Sequence, residues 1–319
     1  MRLIFLGTGD IGLPALERLF KEHELLAVVA QPDKPVGRKQ ELTPPPTKRF
    51  ALERGVPVLQ PQRIREPQAA AEIAALKPEV IVVMAYGQIL PKALLDAPAL
   101  GCLNLHASLL PKHRGAAPIQ AAIEAGDRES GITVMWMAEG LDSGDILLMR
   151  PLPIRRRETG GTLHDRLAAL APEALAEALA LLEHGNAPRI PQDHAQATHV
   201  PKLTRESGVI DWSAPCDAID RRVRAMNPWP AASTWIPDAS GTPRKLKVFS
   251  VIQHRSRRES TGEPGTVLRA DKRGILVAAG QGAILLRDVQ LEGKRRMPVR
   301  DFLLGHPVAA GTRLVRPDR

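Results

Sequence analysis

Residues 3–12 read Leu-Ile-Phe-Leu-Gly-Thr-Gly-Asp-Ile-Gly, an apolar run followed at once by closely spaced glycines. Such a run before a glycine turn is typical of a buried strand that passes directly into a helix. Gly7, Gly9 and Gly12 also match the G-x-G-x-x-G pattern of dinucleotide-binding α/β proteins. The stretch therefore predicts an α/β fold. It leaves open whether the glycines approach a nucleotide or only permit a tight turn.

Short apolar runs continue to alternate with helical patterns through about residue 180, which is typical of βαβ units. The further predicted strands are Leu26–Ala30, Val80–Ala85, Cys102–His106 and Ile132–Met137. The predicted helices include Pro14–Lys21, Pro67–Leu76 and Ala117–Ala125. We therefore expect a Rossmann-like, mostly parallel sheet with helices on both faces.

A long helical pattern begins at Thr162 and ends near Gly185, with Pro172 expected to kink or divide it. Residues 186–208 lose this periodicity and contain three prolines, so they are interpreted as a linker. The first domain is accordingly predicted to span residues 1–185.

The last part of the chain has a different pattern, which predicts a second domain at residues 209–319. A short helix is followed by strands at the spacing of a small barrel, and we expect a smaller OB-like β-barrel domain. The predicted elements are the helix Cys216–Met226 and strands near Lys247–Ile252, Gly265–Leu268, Ile275–Ala279 and Ile284–Leu291.

The net charge of +9 is confined to this second region. Residues 1–208 contain 24 Lys+Arg and 24 Asp+Glu, whereas residues 209–319 contain 20 and 11. A basic region attached to a balanced one indicates contact with a polyanion such as nucleic acid, because cations neutralise phosphates. Simple solubility is the alternative.

Cysteine usage and hydropathy indicate the class of protein. Cys102 and Cys216 lie far apart without metal-ligand spacing, so neither a disulfide framework nor a metal site is expected. The longest apolar run, Val80 to Tyr86, is far shorter than the ~20 residues of a membrane span. We expect a soluble, cytoplasmic protein that needs no metal.

Asn104 and His106 end the predicted strand Cys102–His106, where alternation places both side chains on one face of the sheet. Ligands of open α/β sheets bind beyond such strand ends. Asp142 follows a later strand in a glycine-flanked loop. An amide, an imidazole and a carboxylate suffice for acyl transfer without a covalent intermediate. The alternatives are a structural histidine and an aspartate that only stabilises a turn.

A nicotinamide-dependent oxidoreductase remains a second hypothesis. Asp33 stands 21 residues after Gly12, close to where a ribose-binding acid would follow the glycine turn. Its segment, Gln31–Pro35, resembles a turn beyond the second strand rather than the tip of that strand.

Several motifs together resemble the methionyl-tRNA formyltransferase family and span nearly the whole chain. The motifs of the first domain are Gln31-Pro32-Asp33, Ala85-Tyr86-Gly87-Gln88-Ile89-Leu90-Pro91, Asn104-Leu105-His106, Ser108-Leu109-Leu110-Pro111, Arg114-Gly115-Ala116-Ala117-Pro118-Ile119-Gln120 and Gly140-Leu141-Asp142-Ser143-Gly144-Asp145. Those of the second are Ile210-Asp211-Trp212, Asn227-Pro228-Trp229-Pro230 and Gly293-Lys294. The Asn104-Leu105-His106, Ser108–Pro111 and Asp142 motifs are shared with other formyltetrahydrofolate-dependent formyltransferases and hydrolases, which stay open as alternatives.

The resemblance implies an enzyme that transfers the formyl group of 10-formyltetrahydrofolate to the α-amine of methionyl-initiator-tRNA. It implies Asn104, His106 and Asp142 as catalytic residues and a monomeric chain. The folate contacts that it implies are Ser108, Leu109, Leu110 and Pro111, with Tyr86, Gly87, Ile89 and Leu90 nearby.

The candidate tRNA contacts belong to two segments. The family's loop that approaches the tRNA acceptor end corresponds to about Pro32–Pro46, which here contains Lys34, Arg38 and Lys39. In the predicted linker, Lys202 and Arg205 are further candidates for phosphate contacts, with solvated linker charges as the alternative. The loop is shorter and less basic than is usual in the family, and Gly9 and Ile11 replace a proline and an aromatic residue.

Overall fold

A computed structural model of the chain describes residues 1–37, 40–238, 240–254 and 262–314. The strands are β1 (Arg2–Gly7), β2 (Glu24–Val29), β3 (Lys34–Val36), β4 (Glu41–Thr43), β5 (Val58–Leu59), β6 (Val80–Met84), β7 (Cys102–His106), β8 (Arg114–Gly115), β9 (Glu129–Trp136), β10 (Ile146–Pro153), β11 (His199–Val200), β12 (Ala232–Pro237), β13 (Pro243–His254), β14 (Val267–Asp271), β15 (Gly274–Ala278), β16 (Ala283–Leu291) and β17 (Met297–Pro298). The helices are α1 (Leu13–Glu22), α2 (Pro46–Glu53), α3 (Pro67–Ala75), α4 (Lys92–Leu95), α5 (Pro118–Ala125), α6 (Gly160–Glu183), α7 (Cys216–Ala225) and α8 (Val299–Gly305).

The first sheet has the strand order β10-β9-β7-β6-β1-β2-β5. Strands β5, β2, β1, β6 and β7 run parallel, and β9 and β10 add two antiparallel pairings at one side. The fold-class prediction of a mostly parallel α/β sheet is confirmed. The parallel strands all end at one edge, where crevices for ligands form in such sheets.

Both faces of this sheet are covered. Every residue of β6 and β7 is buried, as expected when helices lie on each side of parallel strands. On one face, Ile4 and Leu6 share a core cluster with Ile73 of α3 and Leu94 of α4. Because side chains alternate along a strand, the buried Phe5 faces the opposite layer.

Strand β10 was not predicted from the sequence. It contains Pro151 and Pro153, which argue against a central strand because proline cannot donate to the ladder. The structure places β10 at the edge of the sheet, paired only with β9 in the strand order, and an edge strand tolerates proline. Pro172 does not divide the long helix, because α6 continues through it; a kink at Pro172 stays a prediction.

Residue contacts divide the chain into two compact units. The first contains Met1–Pro118, Arg128–Ile154 and Leu163–Pro201, and the second contains Ile119–Asp127, Arg155–Thr162 and the described residues from Lys202 onward. The predicted boundaries at residues 185 and 208 stay predictions.

The second unit contains an antiparallel sheet with the order β12-β13-β16-β15-β14, and β17 also pairs with β16. Its core joins α7, through Ile219 and Val223, to Leu246 and Val248 of β13. The Trp212 indole N–H donates a 3.0 Å hydrogen bond to Thr234 Oγ1 within this core. An antiparallel β domain after the α/β domain is thus confirmed. Closure of its sheet into an OB-like barrel stays a prediction.

Among the described helices, none combines the length and apolar content needed to cross a membrane.

Candidate active site

The structure brings Asn104, His106 and Asp142 together at the carboxyl edge of the sheet. Asn104 Nδ2 lies 3.4 Å from Asp142 Oδ1, and His106 Nδ1 lies 3.6 Å from Asp142 Oδ2. The side chains of His106 and Asp142 are only 7% and 12% exposed. One carboxylate therefore faces both side chains of β7, as the alternation of that strand predicts.

His106 is oriented by a second contact. Its Nε2 lies 2.9 Å from the carbonyl oxygen of His113. Because a carbonyl oxygen can only accept, Nε2 carries a proton and donates it here. Nδ1 is then the nitrogen that faces Asp142 Oδ2, 3.6 Å away.

The Ser108–Pro111 loop directly after β7 is held by hydrogen bonds. Thr133 Oγ1 of β9 donates to the Ser108 carbonyl over 2.6 Å and accepts from the Leu110 N–H at 3.1 Å. Ser108 Oγ donates to the Lys112 carbonyl at 2.6 Å. The peptide bond between Leu110 and Pro111 is cis. The loop thus presents a defined backbone beside His106, with Leu109 and Pro111 half-buried.

The residues of the Tyr86–Leu90 loop after β6 differ in how far they are buried. The Tyr86 side chain is 2% exposed and packs with Leu6 and Ile64, and its burial raises the pKa of the hydroxyl to about 12. Its backbone carbonyl instead accepts from Thr8 Oγ1 at 3.1 Å. Gly87 and Ile89 are exposed, whereas Leu90 is buried like Tyr86. Gly87, Ile89 and the loop backbone are therefore the parts of this loop that can contact a ligand directly.

The glycine turn serves packing between the strand and its neighbours. A Cβ on Gly7 would lie 2.8 Å from the Met84 carbonyl oxygen, and one on Gly12 would lie 2.9 Å from the Phe5 ring. Gly9 has φ of −80°, and a Cβ there would meet its nearest neighbour at 3.9 Å. Close packing thus explains why Gly7 and Gly12 are glycine, whereas it does not require a glycine at position 9.

Asp33 is already bound by other side chains. Both of its carboxylate oxygens lie 2.9 Å from Lys48 Nζ, and Gln60 Nε2 donates to Oδ1 at 2.8 Å. Hydrogen bonds from Gln60 and Lys48 lower the pKa of Asp33. This acid therefore stabilises the turn after β2, which argues against a ribose-binding role.

Of the basic residues predicted to contact tRNA, Lys34, Lys202 and Arg205 are exposed, and Arg38 and Lys39 lie outside the described residues. Three further arginines, Arg221, Arg222 and Arg224 of α7, form ion pairs within the protein. Each has an acidic partner in the same unit, namely Asp217 for Arg221, Glu124 for Arg222 and Asp220 for Arg224. Their charges are thus partly neutralised within the protein.

Relatives of known function match this chain over nearly its whole length. A methionyl-tRNA formyltransferase of Methylacidiphilum infernorum is 48% identical, covering 100% of this chain and 99% of its own. The enzyme of the same name from Akkermansia muciniphila is 47% identical over 96% of this chain and 97% of its own. The chain belongs to the methionyl-tRNA formyltransferase family. Family models for "Formyl transferase" and "Formyl transferase, C-terminal domain" match residues 1–179 and 202–307.

Solved structures of other proteins share this fold. An N-formyltransferase of Helicobacter canadensis, solved with folinic acid and dTDP-3-aminofucose, superposes with a TM-score of 0.65. It is 16% identical and covers 89% of this chain and 98% of its own. HypX of Aquifex aeolicus, solved with tetrahydrofolic acid, has a TM-score of 0.61 at 21% identity, over 95% of this chain and 47% of its own. With this membership established, the oxidoreductase hypothesis is wrong.

Sequence reasoning missed a buried group of residues behind the site. Gln192 and Arg114 are 6% and 5% exposed, and Gln192 contacts the backbone of the Asp142 loop. Gln192 lies between the two ranges matched by the family models, in the segment predicted as a linker. The only signal for Gln192 was the break in helical periodicity after Gly185, which says nothing about tertiary contacts, whereas Arg114 stood in a family motif with no role assigned to it.

Proposed function

We propose that this chain transfers the formyl group of 10-formyltetrahydrofolate to the α-amine of methionyl-initiator-tRNA and so makes N-formylmethionyl-tRNA. The observation that carries the proposal is the convergence of Asn104 and His106 on the Asp142 carboxylate, in a chain of this family. The fold neighbours solved with folate compounds support a tetrahydrofolate-derived donor.

In the proposed reaction, the amine nitrogen attacks the formyl carbon and negative charge develops on the formyl oxygen. Asn104 Nδ2 and His106 Nε2 donate hydrogen bonds to that oxygen, and each such donor is worth roughly 100- to 1,000-fold in rate. In the reaction, the oxyanion takes over the Nε2–H that donates to the His113 carbonyl in the structure.

In this scheme Asp142 transfers the proton from the attacking amine to the folate leaving group. It receives the proton that the amine loses, directly or through a water, a step worth roughly 100- to 10,000-fold. The proton then passes to the folate nitrogen as the bond between that nitrogen and the formyl carbon breaks. Asp142 Oδ2 also faces Nδ1 of His106 at 3.6 Å. The scheme uses no metal.

The donor is proposed to lie along the Ser108–Pro111 loop, with the exposed Gly87 and Ile89 nearby. The tRNA is proposed to contact Lys34, Arg38 and Lys39 near its acceptor end, and Lys202 and Arg205 through its phosphates. The positive balance of residues 209–319 supports binding of a polyanion. We further propose that the enzyme acts as a monomer in the cytoplasm.

The test is to supply 10-formyltetrahydrofolate with charged initiator and elongator methionine tRNAs and to measure formylated product. We expect rapid formylation of the initiator form alone. Equal use of both tRNAs would contradict the acceptor assignment, and no product with either would contradict the reaction.

A second measurement tests the catalytic assignment. Asn104→Ala should lower turnover by about 100- to 1,000-fold, because it removes one donor to the oxyanion. A matched variant, Asn186→Ala, changes the same residue type on an exposed site far along the chain and should turn over normally. A loss below about tenfold for Asn104→Ala would rule out the proposed oxyanion contact.

A further inference from the structure

The loop that carries Asp142 is supported from outside itself. Asp142 has φ of +47°, a left-handed conformation that a non-glycine residue keeps only where its surroundings hold it. Its contacts to Asn104 and His106, at 3.4 and 3.6 Å, are too long to supply that support. The conformation of this backbone must therefore depend on other residues.

Gln192 supplies two of the missing contacts. Its amide nitrogen donates hydrogen bonds to the carbonyl oxygen of Asp142 at 2.9 Å and to that of Gly144 at 2.7 Å. The side chain is buried, so water does not compete for these carbonyls. A single amide thus ties two backbone positions of the loop together.

Arg114 determines which way this amide points. Its Nε and Nη2 donate to Gln192 Oε1 at 3.1 and 2.6 Å. A guanidinium only donates and a carbonyl only accepts. Rotating the amide by half a turn would place its N–H groups against Arg114 and its oxygen against two carbonyls. The orientation that supports the Asp142 loop is the only one that satisfies both sides.

Arg114 is in turn fixed by its backbone. Its N–H donates to the Thr198 carbonyl at 2.8 Å, and β8 pairs with β11. The next residue, Gly115, donates its N–H to Asp142 Oδ2 at 2.8 Å. Adjacent residues of β8 therefore reach Asp142 by two routes, one to the carboxylate and one through Gln192 to the backbone.

We propose that Gln192, oriented by Arg114, is a positioning residue that holds the Asp142 carboxylate against His106 and Asn104 for formyl transfer. This inference rests on the proposed function, because it takes Asp142 as a catalytic residue. Gln192 itself contacts the loop backbone and acts through Asp142.

The first test is Gln192→Ala, assayed for formyl transfer with both substrates varied. We expect kcat to fall by about 10- to 100-fold, the usual cost of losing a residue that orients a functional group. The KM values for donor and acceptor should change by less than about threefold, since the variant alters no substrate contact. Gln196→Ala is the matched control, because Gln196 lies in the same segment but is exposed and bonds to Asp193.

A second variant covers the case in which Gln192→Ala does not fold. Gln192→Glu keeps the size of the side chain and its acceptors for Arg114, but replaces both donors to the Asp142 and Gly144 carbonyls. A folded Gln192→Glu enzyme should show at least the same fall in kcat, because a carboxylate oxygen cannot donate to these two carbonyls. Wild-type kcat in a folded Gln192→Glu enzyme would overturn the inference.

A double variant separates positioning from general support of the fold. If Gln192 acts through Asp142, then adding Gln192→Glu to Asp142→Asn should lower kcat by less than about twofold further. A full second loss of 10-fold or more would show an independent role and overturn the inference.

The result for Asp142→Asn alone distinguishes this inference from the proposed function. If Asp142→Asn keeps normal turnover, the catalytic role of Asp142 and the positioning role of Gln192 are both overturned, while formyl transfer by the enzyme stands. If Asp142→Asn loses activity while both Gln192 variants keep it, the proposed function stands and only the positioning role is rejected.

Discussion

The backbone N–H of Gly115 donates a 2.8 Å hydrogen bond to Oδ2 of Asp142. Oδ1 of the same carboxylate then faces the amide of Asn104. Gly115 has φ of +114°, and an added Cβ would overlap the carbonyl oxygen of Val200, so no other residue fits here without displacement. The orientation of the proposed catalytic acid thus depends on close packing between two short strands.

Asp142→Asn should lower kcat by about 100- to 10,000-fold with little change in thermal stability. The amide oxygen of asparagine can still accept from Gly115, whereas the amide cannot take up the proton of the attacking amine. Rapid-quench formylation assays and a thermal melt measure the two quantities. Glu139→Gln, an exposed change in the same loop, should behave as wild type. Turnover within tenfold of wild type for Asp142→Asn would contradict the role.

Gly144→Ala should destabilise the protein by about 1–3 kcal/mol, as overpacking at a close approach does. An added Cβ would overlap the Trp136 carbonyl oxygen, so the loop must shift, and Asp142 shifts with it. We therefore expect lower turnover as well as a lower urea midpoint.

Gly305→Ala is the comparison for this glycine, because no atom lies within 4 Å of a Cβ placed there. Its stability should match or slightly exceed that of wild type. Equal midpoints for the two alanine variants would show that the loop accommodates the extra methyl group.

The glycine turn after β1 can be tested one position at a time. Gly9→Ala should change stability by less than about 0.5 kcal/mol and leave formylation intact, because the nearest atom to its Cβ is 3.9 Å away. Gly7→Ala should cost about 1–3 kcal/mol, because its Cβ would approach the Met84 carbonyl oxygen at 2.8 Å. A nucleotide site would predict a functional loss at Gly9, so NADH titration of the wild-type protein should show no saturable change in fluorescence.

Asp33 predicts a specific dependence of stability on pH. Hydrogen bonds from Gln60 and Lys48 lower its pKa from the ordinary 3.8. A carboxylate with a lowered folded-state pKa stabilises the protein above its unfolded pKa, and this contribution is lost as the pH falls through the folded value. Wild type should therefore exceed Asp33→Asn in urea midpoint at pH 7, and the difference should shrink below about pH 4. A difference in urea midpoint that does not change with pH would show that ionisation of Asp33 does not contribute to stability.

The sequence predicted the parts of the site that depend on local periodicity. Strand β7 was predicted with its observed bounds, Cys102–His106, because a short run containing three apolar residues follows Gly101 and precedes Ser108. Alternation along that strand then placed Asn104 and His106 on one face. Asp142 was predicted as a site residue from its glycine-flanked motif. Its contacts with Asn104 and His106 confirm that this loop and the end of β7 converge.

Other features could not be predicted because they depend on neighbours far along the chain. Strand β10 was not predicted because it contains Pro151 and Pro153. A strand with these prolines is possible here because β10 lies at the edge of the sheet. The burial of the Tyr86 ring in a core with Leu6 could not be read from the sequence, and the contact of Tyr86 with folate stays a prediction.

By itself, the sequence determined the alternation of strands and helices, the basic second region and the three residues that we propose as catalytic. Hydrophobic periodicity and backbone preferences act over a few residues, so they can be read along the chain. Only the tertiary structure decided that Gln192 and Arg114, 78 residues apart, meet behind the Asp142 loop. That contact depends on the burial of donors and acceptors that must find partners once water is excluded, and such partners have no fixed spacing in a sequence.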